Sequence, residues 1–403
     1  MTMRVWFIGP LLASCLSLGF RADVRADRCC HWAGIYPTVV TPLCDHSGID
    51  VQSLEQQIRR ELSGGVHGLL VLGTIGEGQY TSLEERAQVI STAVHMAGGA
   101  PVIVGIHTCD LNCARTQLYQ ARNLGAAAVL VKYVGRPHAS GAEVLGFFSD
   151  LCQDNVLPIF YYNYPSQTGL KLAPRDIADI LSLPGVTGIK ESTLNLKEVQ
   201  QHICLTRGLG KAFFSGTALN LTQFLALGGC GAMCPEAVLL PGPTVQAYEA
   251  YVHGRCREAR CLQAHLFEMT PILQSRPTPV PLTRAMVMSG SDHKMPLPMG
   301  KDQPQARLKA ALACMGIATS TAVKCPLPPL SARDQRRVEK TMSKVKSIDW
   351  CAAGYDMPPM PLSAFSCAGR DENGLLLGQG PLMMGPGPAR GPWQVTGDAS
   401  IGW

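Results

Sequence analysis

The chain has 403 residues, 46% of them hydrophobic, and a formal net charge of +5. That is ample apolar material for a large core, and the lysines and arginines are scattered rather than gathered with aromatics into a basic stripe, which excludes nucleic acid as an expected partner. Sixteen cysteines occur without a C-x-x-C pair, so no metal site is expected and a reducing, cytoplasmic compartment fits.

Residues 1–31 open with Arg4 and an apolar run to Phe20 that Gly9-Pro10 interrupts. The run is short for a membrane span, and no membrane partner is expected. It reads as a targeting or unstructured leader and leaves an exported or organellar form open. The Cys29-Cys30-His31 cluster inside it lacks a second ligand pair.

From residue 32 the pattern becomes regular. Short apolar, β-branched runs at 35–40, 68–72, 102–105, 127–131, 159–162, 186–190, 212–215 and 231–233 are predicted strands. Helical patterns separate them. The stretch 81–94 opens with Ser82 and Glu85 as a capping box and carries Leu83, Ala87, Ile90 and Val94 along one face. The stretch 173–185 carries Ile177, Ile180 and Leu181 and stops at Pro184-Gly185, and 218–229 stops at a glycine pair.

Eight strand–helix units between 32 and 240 fit an α/β fold, a closed (β/α)8 TIM barrel. A doubly wound sheet would need a phosphate loop, and "GTIGEG" at 73–78 lacks the G-x-G-x-x-G spacing. Helical stretches at 245–254, 256–273 and 305–315, with a Pro-rich break at 276–281, form a C-terminal helical extension over 241–348. Residues 349–403 are rich in proline and glycine and read as a disordered tail.

In a barrel of this kind chemistry sits at the carboxyl ends of the strands. Strand two leads into Gly73-Thr74-Ile75, strand five ends in Tyr161-Tyr162-Asn163, strand six ends in Lys190, and strand seven ends in Ser215-Gly216. A free lysine has a pKa near 10.4, and burial disfavours its ammonium form, so Lys190 is expected to supply an amine nucleophile. An amine in a dry pocket attacks a ketone to give an imine, which lets a neighbouring carbon–carbon bond be made or broken. The phenol of Tyr162, one strand away, is the expected proton carrier, with the Thr74 hydroxyl as relay. The turn at 73–78 is expected to aim backbone N–H groups at a carboxylate. Alone, a strand-end lysine is usually a snorkelling surface residue, a tyrosine pair is usually packing, and a Gly-rich turn is usually only a turn. Three on one barrel favour a site.

These residues resemble the pyruvate-dependent class I lyases related to dihydrodipicolinate synthase and N-acetylneuraminate lyase. The resemblance runs over 32–348 through "GIYPTVVTP", "GTIGEG", "YYNYPSQTG", "GIKES", "FSGT", "GGCGAM" and "CPLPPLS". It implies a homotetramer of barrels with C-terminal helices, no cofactor beyond the covalent imine, and small 2-oxo acid and aldehyde substrates. It implies Lys190 as Schiff-base former, Tyr162 as proton donor and acceptor, and Gly73 to Ile75 at the substrate carboxylate. Gly216 and Met233, in "FSGT" and "GGCGAM", are further expected substrate-binding positions. Three departures stand out against the synthase: Ile75 replaces a second hydroxyl, Val134 falls where a neighbouring subunit's tyrosine is expected (Tyr133 is one residue off), and Gln167 replaces an arginine that holds the second substrate's carboxylate. A neutral amide does not replace a bidentate charge. The expected substrate is therefore a 2-keto-3-deoxy sugar acid or related 2-oxo acid, with a neutral or hydroxylated portion near Gln167. The synthase of lysine biosynthesis is the alternative, and a non-catalytic binding barrel is the alternative of another class.

Overall fold

The structure is a computed structural model that describes residues 32–44, 48–288, 303–318 and 320–348. The leader and the Pro/Gly-rich tail lie outside the described residues.

Eight strands alternate with helices. They are β1 (Gly34–Pro37), β2 (Leu69–Val71), β3 (Val102–His107), β4 (Ala128–Lys132), β5 (Ile159–Asn163), β6 (Val186–Glu191), β7 (Ala212–Ser215) and β8 (Gly231–Cys234). All pairings between them are parallel, in the order β1-β8-β7-β6-β5-β4-β3-β2. The two ends of that order meet. His67 N–H donates to the Ile35 carbonyl and Val39 N–H to the Leu70 carbonyl, each at 2.9 Å, and Thr38 bridges Leu70. These contacts close the barrel, as expected.

Side-chain alternation along each strand sorts residues between two cores. Tyr36, Leu70, Leu130, Phe160, Tyr162, Phe214 and Met233 fill the barrel interior. The opposite faces pack against the surrounding helices. Three of these are α1 (Val51–Ser63), α2 (Leu83–Ala97) and α3 (Leu111–Asn123). Ser82 and Glu85 form the expected capping box at the start of α2.

Chain order continues with α4 (Gly141–Cys152), the single turn α5 (Pro165–Thr168), α6 (Pro174–Ser182), α7 (Leu196–Leu205), α8 (Leu221–Ala226) and α9 (Glu236–Leu239). Beyond the barrel come α10 (Pro241–Val252), α11 (Cys256–Leu266), α12 (Thr270–Leu273), α13 (Val280–Met288), α14 (Gln305–Ala313) and α15 (Ala332–Lys346). Two expectations are revised here. The helix expected over 256–273 is divided by a 3-10 turn at Phe267–Met269, because Pro271 has no N–H to continue the ladder. The Pro-rich break is followed by α13, in which Pro281 sits in the first turn, where a missing N–H costs nothing. Leu308, Ala311 and Leu312 of α14 share one hydrophobic cluster with Ile35 and Val40 of the β1 region and with Val338 and Met342 of α15. Among the described residues no helix is long and apolar enough to cross a membrane.

Candidate active site

Register places the site. Tyr162 pairs with Lys190 across β5 and β6, and Val131 pairs with Tyr161 across β4 and β5, so Lys132, Tyr162 and Lys190 follow at one level on three adjacent strands. All three are buried, Lys190 at 3% exposure and Lys132 at 1%. Lys190 Nζ stands 4.5 Å from the centroid of the Tyr162 ring, within the usual range for a cation over a π face. Among the described residues it makes no hydrogen bond and no ion pair, which leaves its nitrogen lone pair uncommitted when deprotonated. Its neighbour Glu191 points the other way, as alternation demands, where it accepts from Asn163 Nδ2 and pairs with His202 Nδ1, both at 2.8 Å.

Thr74 lies in the turn after β2. The turn is tightly built: Leu72 and Glu77 both adopt positive φ, 53° and 58°, a conformation that costs a non-glycine residue on the order of 1–3 kcal/mol. A side chain at Gly78 would meet the Leu72 carbonyl oxygen at 1.9 Å, so only glycine fits. Arg86 of α2, 1% exposed, donates to the carbonyls of Gly78 at 3.3 Å and Gly105 at 2.9 Å and ties the turn to β3. From the other side Gln305 Nε2 donates to the Thr74 carbonyl at 3.0 Å. Glu77 is locked by Lys309, 2.6 Å away, with both side chains fully buried, and its second oxygen accepts from Lys324 N–H at 2.6 Å. The backbone N–H groups of Thr74 and Ile75 donate to no acceptor among the described residues.

The hydroxyl network differs from the expected relay. The Thr74 hydroxyl is engaged by Lys132, whose Nζ donates to Thr74 Oγ1 at 3.0 Å and to Gln167 Oε1 at 2.5 Å. Thr74 Oγ1 is also 3.4 Å from Gln167 Oε1. The Tyr162 hydroxyl instead has Ser192 Oγ as its hydroxyl partner, at a long 3.5 Å, and its ring stacks on Tyr164, 5.5 Å between centroids. Gln167 is half-buried on α5, and its surroundings are not uncharged, because the Lys132 amine sits against it. Gly216 is half-buried, its N–H donating to the Glu191 carbonyl at 2.6 Å, and a side chain there would meet Ser192 Oγ at 2.2 Å. Met233 is wholly buried and belongs to the same interior cluster as Tyr162.

Lys132 is the residue that the sequence analysis passed over. The signal was present: "AVLVK" at 128–132 ends an apolar strand in a lysine just as "TGIK" does at 187–190. Burial, and next the charge of Lys190, bring the Lys132 pKa down to about 7. His107 pairs with it in register across β3 and β4. Burial holds that imidazole well below its ordinary value, with the Lys132 charge acting the same way. Its Nε2 donates to the Leu72 carbonyl at 2.9 Å. Among the described residues no group of three or more metal-ligating side chains occurs.

Residues 31–308 match the sequence model of the Dihydrodipicolinate synthetase family. The 4-hydroxy-tetrahydrodipicolinate synthase of Methanospirillum hungatei is 30% identical over 291 residues, covering 70% of this chain and 98% of that protein. Among solved structures, dihydrodipicolinate synthase from Bacteroides thetaiotaomicron aligns at a TM-score of 0.66 with 27% identity, covering 77% of this chain and 98% of that one. YagE, an E. coli K12 prophage protein solved in complex with pyruvate, aligns at 0.67 with 21% identity, covering 78% and 99%.

Proposed function

The chain belongs to the dihydrodipicolinate synthetase family of class I, pyruvate-dependent lyases, and from that premise we propose that Lys190 forms the imine and Tyr162 moves the protons. The observation that carries this reading is the pair itself: a buried amine without a hydrogen-bond partner among the described residues, 4.5 Å from the ring of a tyrosine that is its register partner.

In the cleavage direction the Lys190 amine adds to the C2 ketone of a 2-oxo acid and water departs, leaving an iminium. The proton of the C4 hydroxyl is removed, the C3–C4 bonding pair moves into the iminium, and an aldehyde leaves. The resulting enamine takes a proton at C3, and water then releases pyruvate and the free amine. Tyr162 carries protons at the imine, with Ser192 as its hydroxyl neighbour. The free N–H groups of Thr74 and Ile75 hold the carboxylate attached to C2. Gly216 keeps the wall beside Ser192 open, and Met233 contributes to the substrate site from the interior cluster it shares with Tyr162. Condensation runs the same steps in reverse.

For the second reactant we favour a hydroxylated aldehyde, so that the full substrate is a 2-keto-3-deoxy sugar acid or related 2-oxo acid. The amide of Gln167 and the hydroxyl of Thr74 support this, since both suit hydroxyl groups. Synthesis of 4-hydroxy-tetrahydrodipicolinate is the second reading, favoured by the activity for which the Methanospirillum relative is named. The deciding experiment joins two measurements. Pyruvate plus borohydride should add one reduced adduct at Lys190, read by peptide mass, and an unlabelled Lys190 overturns the imine assignment. Turnover is then compared across hydroxylated aldehydes and aspartate semialdehyde, and efficient use of the semialdehyde alone selects the second reading.

A further inference from the structure

Lys132 has a burial problem that its partners do not solve. Its nitrogen gives hydrogen bonds to two neutral oxygens, Thr74 Oγ1 and Gln167 Oε1. No carboxylate pairs with it among the described residues. The titratable groups around it all oppose or ignore its charge: Lys190 on β6 is a second potential cation, His107 on β3 is held neutral, and Tyr162 on β5 offers its ring, with the centroid 5.8 Å from Nζ. Buried charges in folded proteins are normally paired. Such a group either sheds its proton or takes an anion from outside, and a mouth that receives carboxylate substrates offers the second course.

Two carboxylates could arrive, one on pyruvate and one on the second reactant. The backbone N–H groups of Thr74 and Ile75 already offer two donors to the first. Lys132 is instead engaged by side chains, and one of these, Gln167, stands on α5, the half-buried turn after β5, where solvent reaches the site. We infer that Lys132 is the cation that recognises a carboxylate on the second reactant, making that reactant an aldehyde acid and the full-length substrate a dicarboxylate. This rests on the imine reading of Lys190 and narrows it. A positive charge is thereby present beside Gln167, supplied by the neighbouring strand.

The test uses a matched pair of aldehydes, tartronate semialdehyde and glyceraldehyde, which differ only in a carboxylate against a hydroxymethyl group. Each is condensed with pyruvate by wild type, Lys132→Gln and Lys132→Arg. Wild type should favour the acid at least tenfold in kcat/KM. Lys132→Gln should bring that ratio close to one, mainly through KM, and Lys132→Arg should retain part of it. The wild-type preference should decline as pH rises above 7, because the ammonium is lost, whereas the Lys132→Gln ratio stays flat across the same range. The borohydride adduct at Lys190, measured in the same samples, reports a folded and imine-competent site in each variant. No preference in wild type overturns the inference. So does a Lys132→Gln variant that keeps the preference but loses affinity for pyruvate. Absence of the adduct from wild type would instead overturn the imine reading, and is told apart by that readout.

Discussion

The mouth of the barrel and the junction between the barrel and α14 each bury lysines, and they treat them in opposite ways. At the junction Lys309 lies 2.6 Å from Glu77, and its nitrogen also donates to the Ala322 carbonyl at 2.5 Å. Burial pushes Glu77 up and Lys309 down, and each charge pulls the other back. At the mouth neither Lys132 nor Lys190 has a carboxylate partner among the described residues. A paired buried lysine fastens one segment to another, here the turn that carries Thr74 to the C-terminal helices. An unpaired one is held at a cost in stability, and such groups cluster at functional sites.

The contrast breaks most sharply at Lys190. Replacing it with alanine should abolish the borohydride adduct and lower kcat/KM by more than about 10⁴-fold, the scale on which removal of a covalent nucleophile acts. Steady-state kinetics with peptide mass analysis checks both. Tyr162→Phe should still form the adduct while kcat falls by about 10²–10⁴-fold, the range for a lost general acid–base group. A variant as fast as wild type would remove Tyr162 from the proton path and leave its ring as a platform for the two lysines.

How far the site could be read from sequence follows the same division. Strand-end position was visible in the apolar runs, so the barrel, Lys190 and Tyr162 were legible, as were the glycines of the 73–78 turn. Lys132 carried the same signature at the end of β4 and was passed over. Its meaning depends on register with Tyr162 and on contacts to Thr74 and Gln167, residues 58 and 35 positions away in the chain. The Lys309–Glu77 pair was illegible for a related reason. Nothing local to α14 says that its lysine faces inward toward a turn 232 residues earlier. Thr74 was found as a residue, but its partner was not, because a hydroxyl at a tight turn can face several neighbours and only tertiary packing selects one.

The junction side of the comparison is sharpened by Lys309→Met. Removing one member of a buried pair strands the other charge, and the expected loss is about 3–5 kcal/mol, read as a lower urea midpoint with an unchanged slope. Replacing Glu77 as well, by leucine, should recover much of that loss, because a well-packed apolar pair is often as stable as a buried ionic one. The double variant should still lose activity if the 73–78 turn shifts without its tether, which separates fastening from stability.

The smallest effect, and the one of opposite sign, belongs to Lys132→Met. In the folded protein the Lys132 pKa is about 7, and in the unfolded chain it is near 10.4. Between those values the unfolded state binds more protons, so wild-type stability rises with pH through that window. Below pH 7 both states carry the charge, and the full burial penalty falls on the folded one. Methionine removes the penalty at the expense of two hydrogen bonds to half-buried oxygens that water can replace. The variant should therefore be more stable than wild type by about 1–3 kcal/mol at pH 6, and the gap should close as the pH approaches 10. Denaturant midpoints at four or five pH values measure it. A Lys132→Met protein that is less stable than wild type at pH 6 would mean that the ammonium has a structural counter-charge, and the distinction between the two buried lysines would fall with it.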